Sequence, residues 1–183
     1  MKITIIGRGS VGAGLAGLLE AAGHEVTALG RDGGDASEAD VVIVAVPGDA
    51  VEDAIGKVQG VEGKIVLDAT NPLQGRPHGV DSLAEQVKSL THGPVAKAFN
   101  ANFEKLYGDI SRAGNRPSAL FCGDDEAREV AEQLTRDAGY EPVYAGGLEN
   151  ARALEDFVVG VMLPVLMAGR GPFFYRVGGA EDL

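Results

Sequence analysis

The chain has 183 residues, 45% of them hydrophobic, which is the size of one α/β domain with enough apolar surface for a full core. A formal net charge of −11 leaves no basic field for a phosphate backbone or an anionic membrane surface, so nucleic acid and membrane partners are set aside. The single cysteine, Cys122, cannot close an intrachain disulfide and reads as a small core residue beside Leu120 and Phe121.

In chain order, the first strand begins at Lys2. No charged segment followed by an apolar stretch and a cleavage site precedes it, and a cytoplasmic location is expected. Apolar runs of strand length follow at Ile3 to Ile6, Val26 to Leu29, Val41 to Val46, Ile65 to Leu67, Val95 to Ala98, Ala119 to Cys122 and Val143 to Ala145. The unbroken run Val41 to Val46 is that of a strand covered on both faces, as in a parallel sheet.

Between the strands lie helical patterns. Val11, Leu15, Leu18 and Leu19 share one face before Gly23, and Ala127, Val130, Ala131, Leu134 and Ala138 share another before Gly139. Weaker helices are expected over Asp49 to Val58 and Asp81 to Leu90, and a long one, bent at Pro164, over Gly147 to Ala168. The near-apolar stretch Phe157 to Gly169 is too short to cross a bilayer, which needs about 18 to 20 residues. The connection from Leu29 to Val41 is too short for a full helix. Its segment Arg31 to Ala36 is expected as a loop with at most one helical turn.

Gly7-Arg8-Gly9-Ser10-Val11-Gly12 is a G-x-G-x-x-G string placed directly after the first strand and at the start of the first helix. A second strand completes a βαβ unit. In that context Gly7 permits the tight turn, Gly9 lets backbone approach a pyrophosphate, and Gly12 allows close helix-to-strand packing. The free N–H groups at the helix start would meet the phosphates. The pattern predicts a doubly wound, Rossmann-like α/β fold with a mostly parallel sheet flanked by helices. Residues 1–146 form the nucleotide-binding sheet, and 147–183 a C-terminal helix and tail packing on it.

The second strand ends Leu29-Gly30-Arg31. The carboxylate that would accept from the ribose hydroxyls of NAD is absent at Gly30, and the planar guanidinium of Arg31 suits the 2′-phosphate of NADP. Asp32 is the counterargument, because its carboxylate facing the ribose would weaken or reverse the preference. Arg8 offers a second cation, or a solvated loop side chain.

The third strand ends Ala45-Val46-Pro47, running along the cofactor, and the next ends Asp68-Ala69-Thr70-Asn71-Pro72-Leu73. Asn71 is there the best hydrogen-bonding candidate near the nicotinamide ribose. Lys97-Ala98-Phe99-Asn100 follows one strand later, with Phe99 either a wall of the nicotinamide pocket or core. Lys97, near the active end of its strand, is the candidate should a base be needed, and is otherwise read as a surface or phosphate-neutralising lysine. His24, at the far end of the first helix, is read as structural.

These segments, together with Phe121 to Asp125 and Ala145 to Arg152, resemble the NADPH-dependent reductases of the deazaflavin coenzyme F420, a family that is itself similar to the reductase domain of membrane ferrireductases. The resemblance spans nearly the whole chain. It implies NADP contacts from Arg8, Gly9, Ser10 and Val11, phosphate recognition at Gly30 and Arg31, and nicotinamide-side contacts near Val46, Pro47, Asn71 and Ala98. A second redox cofactor, coenzyme F420 or a flavin, would lie beside the nicotinamide. The Arg31 to Asp40 connection departs from the family in being shorter.

Hydride transfer between two such cofactors needs no covalent intermediate, which agrees with the lack of a Cys-His pairing, a metal-ligand cluster or a nucleophile elbow in the sequence. Two other readings stand beside it: a reductase of a small carbonyl or imine substrate, and a non-catalytic NADP(H)-binding sensor. The apolar C-terminal helix, with Leu154, Phe157, Val158, Val161 and Met162, is expected either to close the core or to bury against a second copy, and a homodimer is expected.

Overall fold

The computed structural model describes residues 1–180. Its strands are β1 Lys2–Ile6, β2 Glu25–Leu29, β3 Gly34–Asp35, β4 Val41–Val44, β5 Val58–Gln59, β6 Ile65–Asp68, β7 Val95–Lys97, β8 Ser118–Gly123 and β9 Glu141–Tyr144. Seven of them form one sheet in the order β2-β1-β4-β6-β7-β8-β9, parallel throughout except where β8 runs antiparallel to β7.

The strand period of two divides the core. In β4, Val41 and Ile43 face one layer while Val42 and Val44 face the other, and all four are buried. The first layer is closed by helices α1 Ser10–Ala21 and α4 Asp125–Asp137 through Leu15, Leu19, Ala127, Ala131 and Leu134. The second is closed by α2 Val51–Gly56, α3 Leu83–Thr91 and α5 Ala151–Phe157 through Val51, Ile55, Ala84, Val87, Ala151 and Leu154. Burying a side chain of Leu or Ile size contributes about 1.5–3 kcal/mol, so these two layers hold the strand ends in fixed relation.

From β1 the chain passes to β2 on one side and then to β4 on the other. The carboxyl ends of β1 and β4 therefore flank the crevice where strand order reverses.

Two expectations change. Residues 31–36 are not all loop: after a tight turn from Gly30 to Gly33, Gly34–Asp35 form β3, which pairs in parallel with β5. The helix expected over Asp49 to Val58 is accordingly shorter, with a 3-10 turn at Gly48–Ala50, α2 at Val51–Gly56, and Val58 in β5. The C-terminal helix continues through Pro164. Residues Val158–Met162 and Leu166–Arg170 take the wider π winding on either side of Leu163–Val165, which accommodates a proline that cannot donate a hydrogen bond, and the backbone departs from helical angles only at Gly169, with φ 91°.

One face of this C-terminal helix closes the core through Leu154, Val158 and Met162, while Val159, Val161, Val165 and Met167 are exposed. The tail then returns to β8: Ser118 N donates to Tyr175 O at 2.9 Å, Leu120 N to Tyr175 Oη at 3.1 Å, and Val177 N to Ser118 Oγ at 2.9 Å. The last three residues of the expected 147–183 segment lie outside the described residues. Among the described residues no helix is long and apolar enough to cross a membrane.

Candidate functional site

The glycine-rich turn is built by two demands of the protein and one vacancy. Gly7 has φ 118°, and a Cβ there would lie 2.3 Å from Ala45 O. A Cβ on Gly12 would lie 2.0 Å from Gly7 O. Both positions exclude any larger residue through contacts inside the chain. A Cβ on Gly9 meets no protein atom within 4 Å, so nothing in the chain itself requires glycine there.

Gly9 is the N-cap of α1 and supplies no side-chain acceptor, and the first turn carries no acidic residue. The opening N–H groups of a 12-residue helix thus point at the crevice uncapped, an arrangement that favours an anion.

Two cavities share the wall formed by Gly9, Ala45, Val46, Pro47 and Asp49 and make one continuous cleft. The cavity on the β2 side, about 740 Å³, is lined by Gly7, Arg8, Gly30, Arg31 and Lys57. Lys57 Nζ is committed to Asp53 Oδ2 at 2.6 Å. Arg8 and Arg31 have no ion-pair partner among the described residues, in a chain of net charge −11. Arg8 is exposed and its guanidinium lies across Gly30, where a Cβ would sit 2.2 Å from its Nη2. Asp32, exposed in the turn, is not among the residues lining this cavity, whereas Arg31 is.

The cavity on the β6 side, about 430 Å³, is lined by Ser10 and Val11 of α1, the loop Ala69 to Gly75, and Glu104. Asn71 forms part of its wall and is itself pinned, donating from Nδ2 to Asn100 O at 2.8 Å and accepting from Asn100 Nδ2 at 3.1 Å.

Gly12, Ala98, Phe99 and Asn100 lie behind the cleft rather than on its wall. Phe99 is 1% exposed in the core, yet takes φ 63°, a left-handed conformation rare for an aromatic residue. That strain is held by the packing around it and by Asn100 Nδ2 donating to Leu154 O at 3.2 Å.

Lys97 is the clearest correction. It is neither at the surface nor near the phosphate end: it is fully buried, donating to Asp68 Oδ2 at 2.8 Å, Thr70 O at 2.6 Å and Glu155 Oε1 at 3.0 Å. Glu155 also accepts from Leu83 N at 2.8 Å and Arg76 Nε at 3.0 Å, and Arg76 Nη2 donates to Asp156 Oδ1 at 2.6 Å. Partial burial disfavours the charged guanidinium of Arg76, but its hydrogen bonds to the carboxylates of Asp156 and Glu155 outweigh this and raise its pKa.

A lysine inside the apolar run Val95 to Phe99 was a visible signal, since a buried ammonium requires partners. Nothing in the sequence points to Glu155, 58 residues away, or to Glu104 as a cavity residue.

No family model matches the sequence. Over 158 residues the chain is 30% identical to metalloreductase STEAP3 of Rattus norvegicus, a match covering 80% of this chain. The chain spans about a third (32%) of the length of that curated relative. Among solved structures, a protein of Arthrobacter sp. FB24 assigned as an F420-dependent NADP reductase superposes with a TM-score of 0.81 at 26% identity. The match covers 98% of this chain and 100% of that one. The hypothetical protein SMa0349 of Sinorhizobium meliloti superposes with a TM-score of 0.67 at 26% identity, over 82% of this chain and 88% of that one. The chain has the Rossmann-like α/β fold, with a mostly parallel sheet, flanking helices and a C-terminal helical segment, that these proteins share.

Proposed function

We propose that the chain binds NADP(H) along the cleft, and that it is an oxidoreductase passing a hydride between the nicotinamide and a deazaflavin such as coenzyme F420, or a flavin. The observation that carries the NADP reading is the placement of Arg8 across Gly30, beside Arg31 and without a carboxylate partner among the described residues. Two guanidinium groups at the end of β2 match a 2′-phosphate, which each can meet with paired, charge-assisted N–H donors. The uncapped start of α1 receives the pyrophosphate, and the open space at Gly9 lets it approach the backbone.

The nicotinamide then falls in the β6-side cavity, between Val11, Pro47 and the loop Ala69 to Gly75. The redox chemistry is supplied by the cofactors. The chain's residues align them and shield the exchange from water. The acceptor class is supported by the Arthrobacter protein, whose assignment is to F420-dependent NADP reduction, and by the metalloreductase relative. The exposed apolar side of the C-terminal helix, Val159, Val161, Val165 and Met167, supports a homodimer, tested by sedimentation of the wild type against Val161→Asp.

The deciding experiment is NADPH oxidation by the purified protein with coenzyme F420 and with FMN, run beside NADH and the Arg8→Ala and Arg31→Ala variants. Rapid reduction selective for NADPH and impaired in both variants is expected. Tight NADPH binding without turnover on any acceptor rejects the oxidoreductase reading in favour of a non-catalytic binding module.

A further inference from the structure

A buried ion pair usually costs a fold more in desolvation than an apolar replacement would, so a cluster of buried charges beside a cleft calls for a reason other than stability. Lys97, Asp68 and Glu155 have no exposed side-chain surface, and Arg76 is 20% exposed. The contacts of this cluster bracket one piece of chain. Thr70 O accepts from Lys97, and Arg76 donates to Glu155 and Asp156, so residues 71–75 are held from both ends. Those residues line the β6-side cavity. Between the two ends, Asn71 is fixed to Asn100, which donates to Leu154 O. Three consecutive residues of α5, Leu154, Glu155 and Asp156, thus anchor this wall of the cavity.

Glu155 is the hub. Its two oxygens accept from three elements: Lys97 at the end of β7, Leu83 N at the start of α3, and Arg76 in the loop. Apolar packing would fill the same volume but would not fix direction, whereas charge-assisted hydrogen bonds do both.

We propose, resting on the NADP(H) reading above, that Glu155 is a positioning residue for the nicotinamide half of the cofactor. Through Lys97 and Arg76 it fixes the loop from Thr70 to Arg76 in the shape that receives the nicotinamide and its ribose. It does not touch the adenosine half, whose cavity is lined from β1, β2 and α2.

The test separates the two halves. Dissociation constants are measured for NADP+ and for 2′,5′-ADP, which lacks the nicotinamide, on the wild type, Glu155→Gln, Arg76→Gln and Arg76→Lys. Glu155→Gln keeps the volume but replaces one acceptor oxygen with a donor facing other donors. The expected result is 2′,5′-ADP affinity within about twofold of wild type in every variant, with NADP+ affinity about tenfold weaker in Glu155→Gln and Arg76→Gln and partly restored in Arg76→Lys. Parallel loss of both ligands, or unchanged NADP+ binding, overturns the proposal. If Glu155→Gln does not fold, Arg76→Gln, altered at the rim of the cluster, decides by the same comparison. A wild-type protein that binds neither ligand rejects the cofactor reading itself, and the positioning role with it.

Discussion

Asp68 and Lys97 are register partners on the adjacent parallel strands β6 and β7, and their side chains meet at 2.8 Å with no exposure to solvent. Replacing Lys97 with Met leaves two buried carboxylates, Asp68 and Glu155, without their shared cation. Breaking a buried pair in this way costs about 3–5 kcal/mol. Urea denaturation of Lys97→Met is therefore expected to show a loss in that range, with part of it recovered in Lys97→Met/Asp68→Asn. A loss below about 1 kcal/mol would mean that water reaches the carboxylates and that the cluster is not desolvated.

Gly30 offers a test of the Arg8 placement that leaves both arginines in the chain. Its φ is not in the left-handed region, so alanine is tolerated by the backbone, but the new Cβ would overlap the Arg8 guanidinium 2.2 Å away. The side chain is displaced while the fold is kept. Gly30→Ala is expected to retain its melting temperature within a few degrees and to lose about 10- to 100-fold in NADPH affinity, the size of one charge-assisted contact of about 1.5–3 kcal/mol. NADH affinity should change little. An equal loss for both nucleotides would place Arg8 away from the 2′-phosphate.

The glycines of the first turn separate stability from binding. Gly12→Ala forces a Cβ to within 2.0 Å of Gly7 O and is expected to destabilise the fold by about 1–3 kcal/mol, as overpacking does. Gly9→Ala meets no protein atom, but alanine is a poorer N-cap than glycine by about 1 kcal/mol, so its thermal midpoint should fall by only a few degrees while NADPH affinity falls. Thermal melts with and without 1 mM NADPH read both effects. A Gly9→Ala protein with full ligand-induced stabilisation would show that no ligand approaches this backbone.

How much of this was legible in the sequence depends on where the information lies. The partly exposed edge strands β2 and β9 show only short apolar runs, whereas the inner strands of the main sheet could be read because a strand buried on both faces must be largely apolar, and β4 with its run of Val and Ile is the plainest case. The β3–β5 pair could not, because two residues each, Gly34–Asp35 and Val58–Gln59, carry no pattern, and their pairing follows from where larger elements bring the backbone. The glycine motif announced its turn. That Arg8 lies across Gly30 is a side-chain direction, which no spacing encodes. Lys97 reads from the sequence as a surface or phosphate-neutralising lysine because its partners come from β6 and α5, and only the packed layers bring them together. The left-handed conformation of Phe99 runs against its residue type, and the surrounding core imposes it.

Cys122 gives a prediction whose sign follows from burial. The side chain is fully buried in β8, and burial, the largest influence on it, pushes the thiol from its ordinary value near 9 up to about 12. The unfolded chain therefore releases this proton first as the pH rises. Between about pH 9 and pH 12 the unfolded state binds fewer protons than the folded one, so the stabilisation, complete below pH 9, is lost progressively across that window. Urea midpoints of wild type are expected to fall from pH 8 to pH 11, and those of Cys122→Ala to fall less steeply from a lower starting value, since alanine loses some packing but has nothing to ionise. Tyr175, also raised to about 12 by burial, contributes to the slope that remains. The same burial makes the native thiol unreactive, so labelling by a thiol reagent at pH 8 should proceed at the rate of unfolding. Fast stoichiometric labelling of the native protein would mean that β8 opens at Cys122 without global unfolding, and the alkaline slope would then belong to other groups.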